Sequence, residues 1–386
     1  MLPNGWKKSK IGETCSLLSG QDFPPNLYGN EEKGLPYITG ASNFAGNHII
    51  LNRWTEHPKN IAKKGDILLV CKGSGCGITA IADFEKAHIA RQVMALQKLN
   101  GVDRDFLYQV VSMNVRNIKQ KGCGLIPGID RKTVLNIEYL LPPIEEQKKI
   151  AATLSVWDSA IEKKEKLIEA KESLLTEYGK ELFGRTEQKQ NENWSTIALS
   201  EVLNEHGHKS TGEEEVFSVS VHKGLVNQIE HLGRSFAAKD TSNYNRVHYG
   251  DIVYTKSPTG DFPLGIVKQS LIKEDVIVSP LYGVFTPQTF ELGSILDFYF
   301  SSPINANNYL HPVAQKGAKN TINITNKKFL SAKLRLPIDI KEQKKIAQFV
   351  QTTKKEMAVL QEILENYKKQ KQGLMQKLLT GQWRVK

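Results

Sequence analysis

The sequence is written twice, and that repetition constrains the fold more than any composition figure does. Leu141 to Ala151 reads LPPIEEQKKIA and Leu336 to Ala347 reads LPIDIKEQKKIA, so the string EQKKIA recurs at an offset of 196 residues. Weaker echoes precede it in the same order. Trp6, Ile11 and Glu13 match Trp194, Leu199 and Glu201 as W-x4-[IL]-x-E; Gly65-Asp66-Ile67 matches Gly250-Asp251-Ile252; Gln120-Lys121-Gly122 matches Gln315-Lys316-Gly317. The offset drifts because surface loops diverge in length faster than scaffolds do. The order is block, helix, block, helix.

The segment after each EQKKIA reads as a long helix. Ile150, Leu154, Trp157, Ile161, Lys164, Ile168, Lys171, Leu175, Tyr178 and Leu182 follow one another at alternating spacings of four and three. Ile346, Val350, Thr353, Met357, Leu360, Leu364, Tyr367, Lys371, Leu374 and Leu378 do the same in the second copy. A narrow apolar seam at this spacing needs a partner helix. The nearest is its own repeat, which predicts an antiparallel intramolecular coiled coil; pairing with another chain is the competing reading. Pro142-Pro143 and Pro337 end the strand before each helix, and Gly184 and Gly381 stand where C-terminal caps belong.

Blocks 1–144 and 194–340 carry short apolar runs broken by Gly, Pro, Asn and Ser. That is a strand-and-loop pattern with few helices, predicting two similar mixed α+β domains. The expected layout is a first globular domain over 1–144, a helix over 145–184, a linker over 185–193, a second domain over 194–340, a helix over 341–380 and a tail over 381–386.

Charge sharpens the search for a partner. The net charge is +11. The excess lies in 1–144, with 18 basic against 12 acidic residues, and in 341–386, with 11 against 4. A polyanionic partner is favoured. Lys354, Lys355, Lys368, Lys369 and Lys371 would make a basic helical face, either solvated, over DNA or against an acidic protein. Cys15, Cys71, Cys76 and Cys123 form no two close pairs, which suits a reducing compartment. No apolar run approaches the ~18 residues of a membrane span, so a cytoplasmic location is expected.

Motifs for covalent chemistry are missing. The cluster Gly73, Gly75 and Gly77 lacks the Lys-Ser/Thr of a phosphate loop. His206 and His208 beside Glu205 have no second ligand pair at zinc-like spacing, so they read as a solvated loop and no metal is expected. The chain binds rather than catalyses on this reading.

Together, the paired W-x4-[IL]-x-E starts, the G-D-I strands with lysine-containing loops, the Q-K-G turns and the duplicated LP-x-x-EQ-x-x-IA helices resemble the specificity subunit of type I restriction-modification systems. The resemblance covers the whole chain. It implies two target recognition domains, each reading one half of a bipartite, asymmetric DNA site, with the helices as spacer and docking scaffold. It further implies two methyltransferase subunits as partners, S-adenosylmethionine held by those subunits and no cofactor on this chain, and possible motor-nuclease subunits. The assembled complex would be an adenine-N6 DNA methyltransferase and a site-specific endonuclease where the nuclease joins.

Phosphate contacts favour Lys, Arg, Ser, Thr and Asn on loops, and base contacts favour Arg or Lys on guanine and Asn or Gln on adenine. This nominates Lys72, Ser74, Arg91, Gln92, Gln120 and Lys121 in the first block. In the second it nominates Lys256, Ser257, Thr259, Gln315, Lys316, Lys319 and Asn320. Tyr244, Asn245 and Arg246 read equally as an exposed hairpin tip or a groove contact. Three other functions remain open on the residues alone: a stand-alone two-headed DNA-binding protein, an enzyme with a cryptic site, and a tethering adaptor.

Overall fold

The computed structural model describes residues 3–46, 48–120, 128–184, 192–229, 240–316 and 322–385. The chain divides into two compact units, one made of Met1–Leu167 with Leu360–Lys386 and the other of Ile168–Val359. Each is a mixed α/β domain packed on parts of two long helices, Ile144–Phe183 and Ile340–Leu379, each 40 residues long. No helix among the described residues is long and apolar enough to cross a membrane.

In the first unit, an antiparallel sheet has the strand order Ser16–Ser19, Val93–Gln97, Ile67–Val70, Thr79–Ile81. Ile67 to Val70 are all fully buried. The reason is that strand side chains alternate between faces. Ile67, Leu69, Met94 and Leu96 pack with Phe106, Leu107, Val110 and Val111 of the helix Arg104–Gln120. Leu68, Val93 and Ala95 pack with Ile38, Ala87 and Ile89 of a second sheet. A strand covered on both faces becomes a continuous apolar run.

The second unit repeats this plan with Leu203–Asn204, Gly283–Pro287, Ile252–Tyr254 and Val267–Gln269 in that strand order. Ile252, Tyr254 and Phe285 face one core, whereas Val253 and Val284 face another.

The repeated strings now have physical explanations. The strand Lys7–Lys10 pairs antiparallel with Glu138–Leu141, and Trp194–Ala198 pairs with Lys333–Pro337, so each block's first strand returns to the one that feeds the long helix. Ile11 and Leu199 are fully buried. Glu13 and Glu201 each accept the backbone N–H three residues earlier, from Lys10 at 3.0 Å and Ala198 at 2.9 Å, the back-bond of a capping box. In G-D-I, Gly65 and Gly250 take positive φ (87° and 92°). The following Asp accepts a backbone N–H of the same turn, from Lys63 at 2.7 Å and His248 at 2.8 Å.

The glutamine of EQKKIA is a buried pin. Gln147 Nε2 donates to the Pro142 carbonyl (2.8 Å) while its Oε1 accepts the Asp103 N–H (2.7 Å). Gln343 Nε2 donates to the Pro337 carbonyl (2.9 Å), and its Oε1 accepts the Thr289 hydroxyl (2.6 Å). Asp103 and Thr289 cap the next helix of their units by accepting the N–H groups of Phe106 and Leu292. One neutral side chain therefore joins two helix starts.

The helices run antiparallel. In the first unit Asp158 pairs with Lys371 and Glu165 with Lys368 (3.0 Å), while Trp157 meets Tyr367 edge-on at 5.6 Å. In the second, Lys171 pairs with Glu356 (2.6 Å), and Tyr178 packs on Phe349 at 4.5 Å. All the expected seam residues, Ile150, Leu154, Trp157, Ile161, Ile168, Leu175, Tyr178 and Leu182 on one helix and Ile346, Val350, Met357, Leu360, Leu364, Tyr367, Leu374 and Leu378 on the other, are buried or half-buried.

The chain's ends meet within the first unit. Glu146, at the start of the central helix, accepts Trp6 Nε1 (3.0 Å) and Arg384 Nη2 (2.7 Å), and Arg384 Nη1 donates to the Asn4 carbonyl.

Candidate nucleic-acid interface

The loop that follows Ile67–Val70 is held at its base by backbone hydrogen bonds. The Cys71 N–H donates to the Gln92 carbonyl (2.8 Å), and its thiol, whose pKa burial pushes up, packs on the same backbone. Gly73 and Gly77 take positive φ (84° and 96°), and a Cβ at Gly75 would lie 2.2 Å from the Ala41 Cβ. Glycine is required there by both conformation and space. Lys72 and Ser74 are exposed on this loop.

The Cys71–Gln92 bond also places Lys72 and Ser74 beside the turn that carries Arg91 and Gln92. Arg91 is exposed but already paired with Asp22 (2.7 Å). The Gln92 amide nitrogen, turned toward the Thr39 carbonyl (3.1 Å) and Asp22 (3.2 Å), is held by the same group. Lys72 forms a backbone bridge with Gly128, the first described residue after 121–127. Gln120 ends the helix Arg104–Gln120. Lys121 lies outside the described residues, as does Cys123.

In the second unit the equivalent loop follows Ile252–Tyr254. Thr255 is buried and bonds Ile266 through its N–H (2.9 Å), and Gly265 lies so close that a Cβ would sit 1.9 Å from the Thr255 carbonyl. Lys256 is half-buried, and desolvation lowers its pKa against the opposing pull of Glu205. Ser257 and Thr259 are exposed, with Thr259 and Phe262 exchanging two backbone hydrogen bonds across a tight turn. Gln315 is exposed and lies opposite Asn323 in a short antiparallel pair, with Lys316 opposite Ile322. Lys319 and Asn320 lie outside the described residues.

Some expectations change. Arg246 is committed within its own unit, donating to the Lys209 carbonyl at 3.0 Å and pairing with Glu214 at 3.2 Å. Asn245 sits in a strand and donates to the Tyr282 carbonyl (2.9 Å), so this pair is scaffold rather than a hairpin tip. The lysines of the C-terminal helix do not form one solvated face. Lys371 is 5% exposed beside Asp158, Lys354 pairs with Asp297 (2.7 Å) and Lys368 pairs with Glu165, which leaves Lys355 and Lys369 outward. His206 is not simply solvated either. Its ring is buried, with Nε2 donating to Asp251 at 3.0 Å. Only His208 is exposed, its pKa held below the ordinary histidine range first by His206, then by partial desolvation and by His248.

Sequence reasoning missed Asp22 and Thr39 beside Arg91 and Gln92, because they arrive from distant segments. It also missed the buried glutamine pins, although their identical position in two copies was a usable signal.

Comparison with known proteins now bears on this geometry. Residues 3–172 match the family model described as the type I restriction modification DNA specificity domain. The MjaVIII type I restriction enzyme specificity subunit of Methanocaldococcus jannaschii is 26% identical over an alignment spanning all of this chain and 94% of that one. The fold is similar to the crystal structure of a type I restriction-modification S subunit from M. genitalium, with TM-score 0.63 and 18% identity over 98% of both chains. A structure from work on complex assembly and conformational transition of the type I R-M system also matches, with TM-score 0.51 and 16% identity over 98% of both chains. The internal repeat, two α/β domains and paired antiparallel helices thus go with a specificity-domain match over residues 3–172 and with a likeness, over the whole chain, to specificity subunits of type I restriction-modification systems.

Proposed function

We propose that each α/β domain reads one half of a bipartite, asymmetric DNA site, and that the paired helices serve as spacer and docking scaffold for two methyltransferase subunits. The observation that carries this reading is the contrast between what the two copies share and what they do not. Buried pins, caps and seam recur in both, whereas the loops after the equivalent strands diverge, reading Lys72-Gly73-Ser74-Gly75 in one and Lys256-Ser257-Pro258-Thr259 in the other. Shared scaffolds with different heads suit identical partners and unlike half-sites.

The exposed Lys72, Ser74, Ser257 and Thr259 and the half-buried Lys256 are the loop donors proposed for phosphate and base edges, joined by Arg91, Gln92, Gln120, Lys121, Gln315, Lys316, Lys319 and Asn320. Arg91 would exchange Asp22 for a phosphate. Docking is supported by Lys148-Lys149 and Lys344-Lys345, which recur identically although exposed, so core packing alone does not require them. The methyl donor, S-adenosylmethionine, belongs to the partner subunits, which would methylate an adenine in each half-site in the cytoplasm; motor-nuclease subunits would join for cleavage.

The test is long-read detection of N6-methyladenine in a host expressing this chain with its neighbouring methyltransferase gene, against the same host lacking only this chain. A bipartite, asymmetric methylated motif that disappears with the chain is expected. An unchanged methylome with an active methyltransferase would favour a stand-alone DNA-binding protein.

A further inference from the structure

Three histidines from two segments converge at the edge of the second unit. His206 and His208 flank Gly207, whose φ of +70° folds the backbone back so that their rings lie 4.3 Å apart between centroids. His248, from the turn after the strand Asn245–Val247, brings a third ring to 5.2 Å from the first and 5.1 Å from the second. One nitrogen of each ring lies within 4.8 Å of the other two. Local spacing brings only His206 and His208 together; His248, 40 residues from His208, is supplied by the fold.

We propose that His206, His208 and His248 bind one divalent transition-metal ion, with Zn²⁺ the first choice. Three imidazole nitrogens are a donor set for Zn²⁺, Ni²⁺ or Co²⁺ and a poor one for Mg²⁺ or Ca²⁺. Metal–nitrogen bonds of ~2.1 Å at tetrahedral angles set ligand nitrogens about 3.4 Å apart, so closure needs movements of roughly an ångström. The exposed His208 on its glycine hinge can supply them.

Outer contacts orient the rings as metal sites require. His248 Nδ1 donates to Asp275 (2.8 Å), which leaves its Nε2 with the free lone pair. His206 Nε2 donates to the buried Asp251, itself fixed by the Thr286 hydroxyl (2.7 Å), which leaves Nδ1 free. That Nδ1 now accepts the His208 N–H at 3.1 Å, the first of two hydrogen bonds a metal would replace. His208 Nδ1 faces His248 Nε2 at 2.8 Å, and the proton shared there is what holds the two rings together without metal. On binding, this proton moves through solvent to the other nitrogen of the exposed His208 ring. Both facing nitrogens then become ligands with no net loss of protons. The nearby Arg246 does not oppose a cation, because Glu214 and Asp275 neutralise it.

The experiment titrates the purified full-length chain with Zn²⁺ against a chromophoric chelator, and separately with Co²⁺ by absorption. One ion per chain is expected, with d–d bands but no thiolate charge-transfer band, which separates this site from the cysteines. Affinity should fall at least tenfold in His208→Ala and His248→Ala, and Zn²⁺ should raise the Tm of the wild type but not of His208→Ala. The exposed His208 makes its variant a safe one, checked by an unchanged metal-free Tm. Absence of stoichiometric binding, or binding retained in both variants, would overturn the proposal.

Discussion

Gln147 and Gln343 are almost wholly buried, so every polar atom on them needs a partner. Replacing either with alanine strands a proline carbonyl and removes the acceptor that holds the next helix's capping residue. Gln147→Ala and Gln343→Ala should each cost about 2–3 kcal/mol, since stranded buried groups cost ~1–3 kcal/mol apiece. Urea unfolding measures this; a loss below ~0.5 kcal/mol would mean that water takes over the role of the pin. Glu214 makes a pH-dependent counterpart. Burial alone would raise its pKa, but hydrogen bonds from Thr211 and Ser210 bring it down to about 2, from 4.5 when unconstrained. A depressed carboxylate stabilises fully above the unfolded pKa and loses that contribution as pH falls through the folded one. The stability penalty of Glu214→Gln should therefore be constant above pH ~5 and shrink between pH 4.5 and 2. An equal penalty at pH 7 and pH 3, measured by denaturant midpoints, would count against this account.

At the scale of elements, the helix pair concentrates its risk where the seam is polar. Lys371 is 5% exposed and depends on Asp158, which also accepts Gln109 at 2.8 Å. Breaking one side of a buried pair leaves an uncompensated charge and costs about 3–5 kcal/mol, whereas replacing the charge with an apolar side chain is far milder. Asp158→Ala should lower stability by roughly 3 kcal/mol, and adding Lys371→Met should recover most of it. No recovery in the double variant would mean that Asp158 acts through Gln109 instead. The seam itself was legible in the sequence because a 3.5-residue period, repeated in one phase, leaves few alternatives. The strands were legible for the same reason, as apolar runs punctuated by glycine. What periodicity does not carry is which distant loops meet. Asp22 reaches Arg91 across 69 positions and His248 reaches His208 across 40, distances set by sheet order rather than by local spacing. The G-D-I motif was visible too, and its aspartate caps the turn that leads into each strand.

At the scale of the whole molecule, each compact unit takes part of both long helices. The first borrows Leu374, Met375, Leu378 and Leu379 from the far end of the chain to cover Ile150 and Leu154. Removing residues 360–386 should therefore expose that core and destabilise the first unit, by more than ~3 kcal/mol for several buried large side chains. Hydrogen exchange by mass spectrometry should show loss of protection in 1–167 and little change across 194–337; uniform loss in both would contradict the division into units. The same arrangement has a consequence for synthesis. The second unit is continuous in sequence and has all its parts once residue 359 has emerged. The first is begun earliest and finished last, and at ~5–20 residues per second it waits roughly 10 to 40 s for its missing helix segment. During that interval the nascent chain carries an uncovered apolar stripe, so the first half of this protein is the half that calls on chaperones.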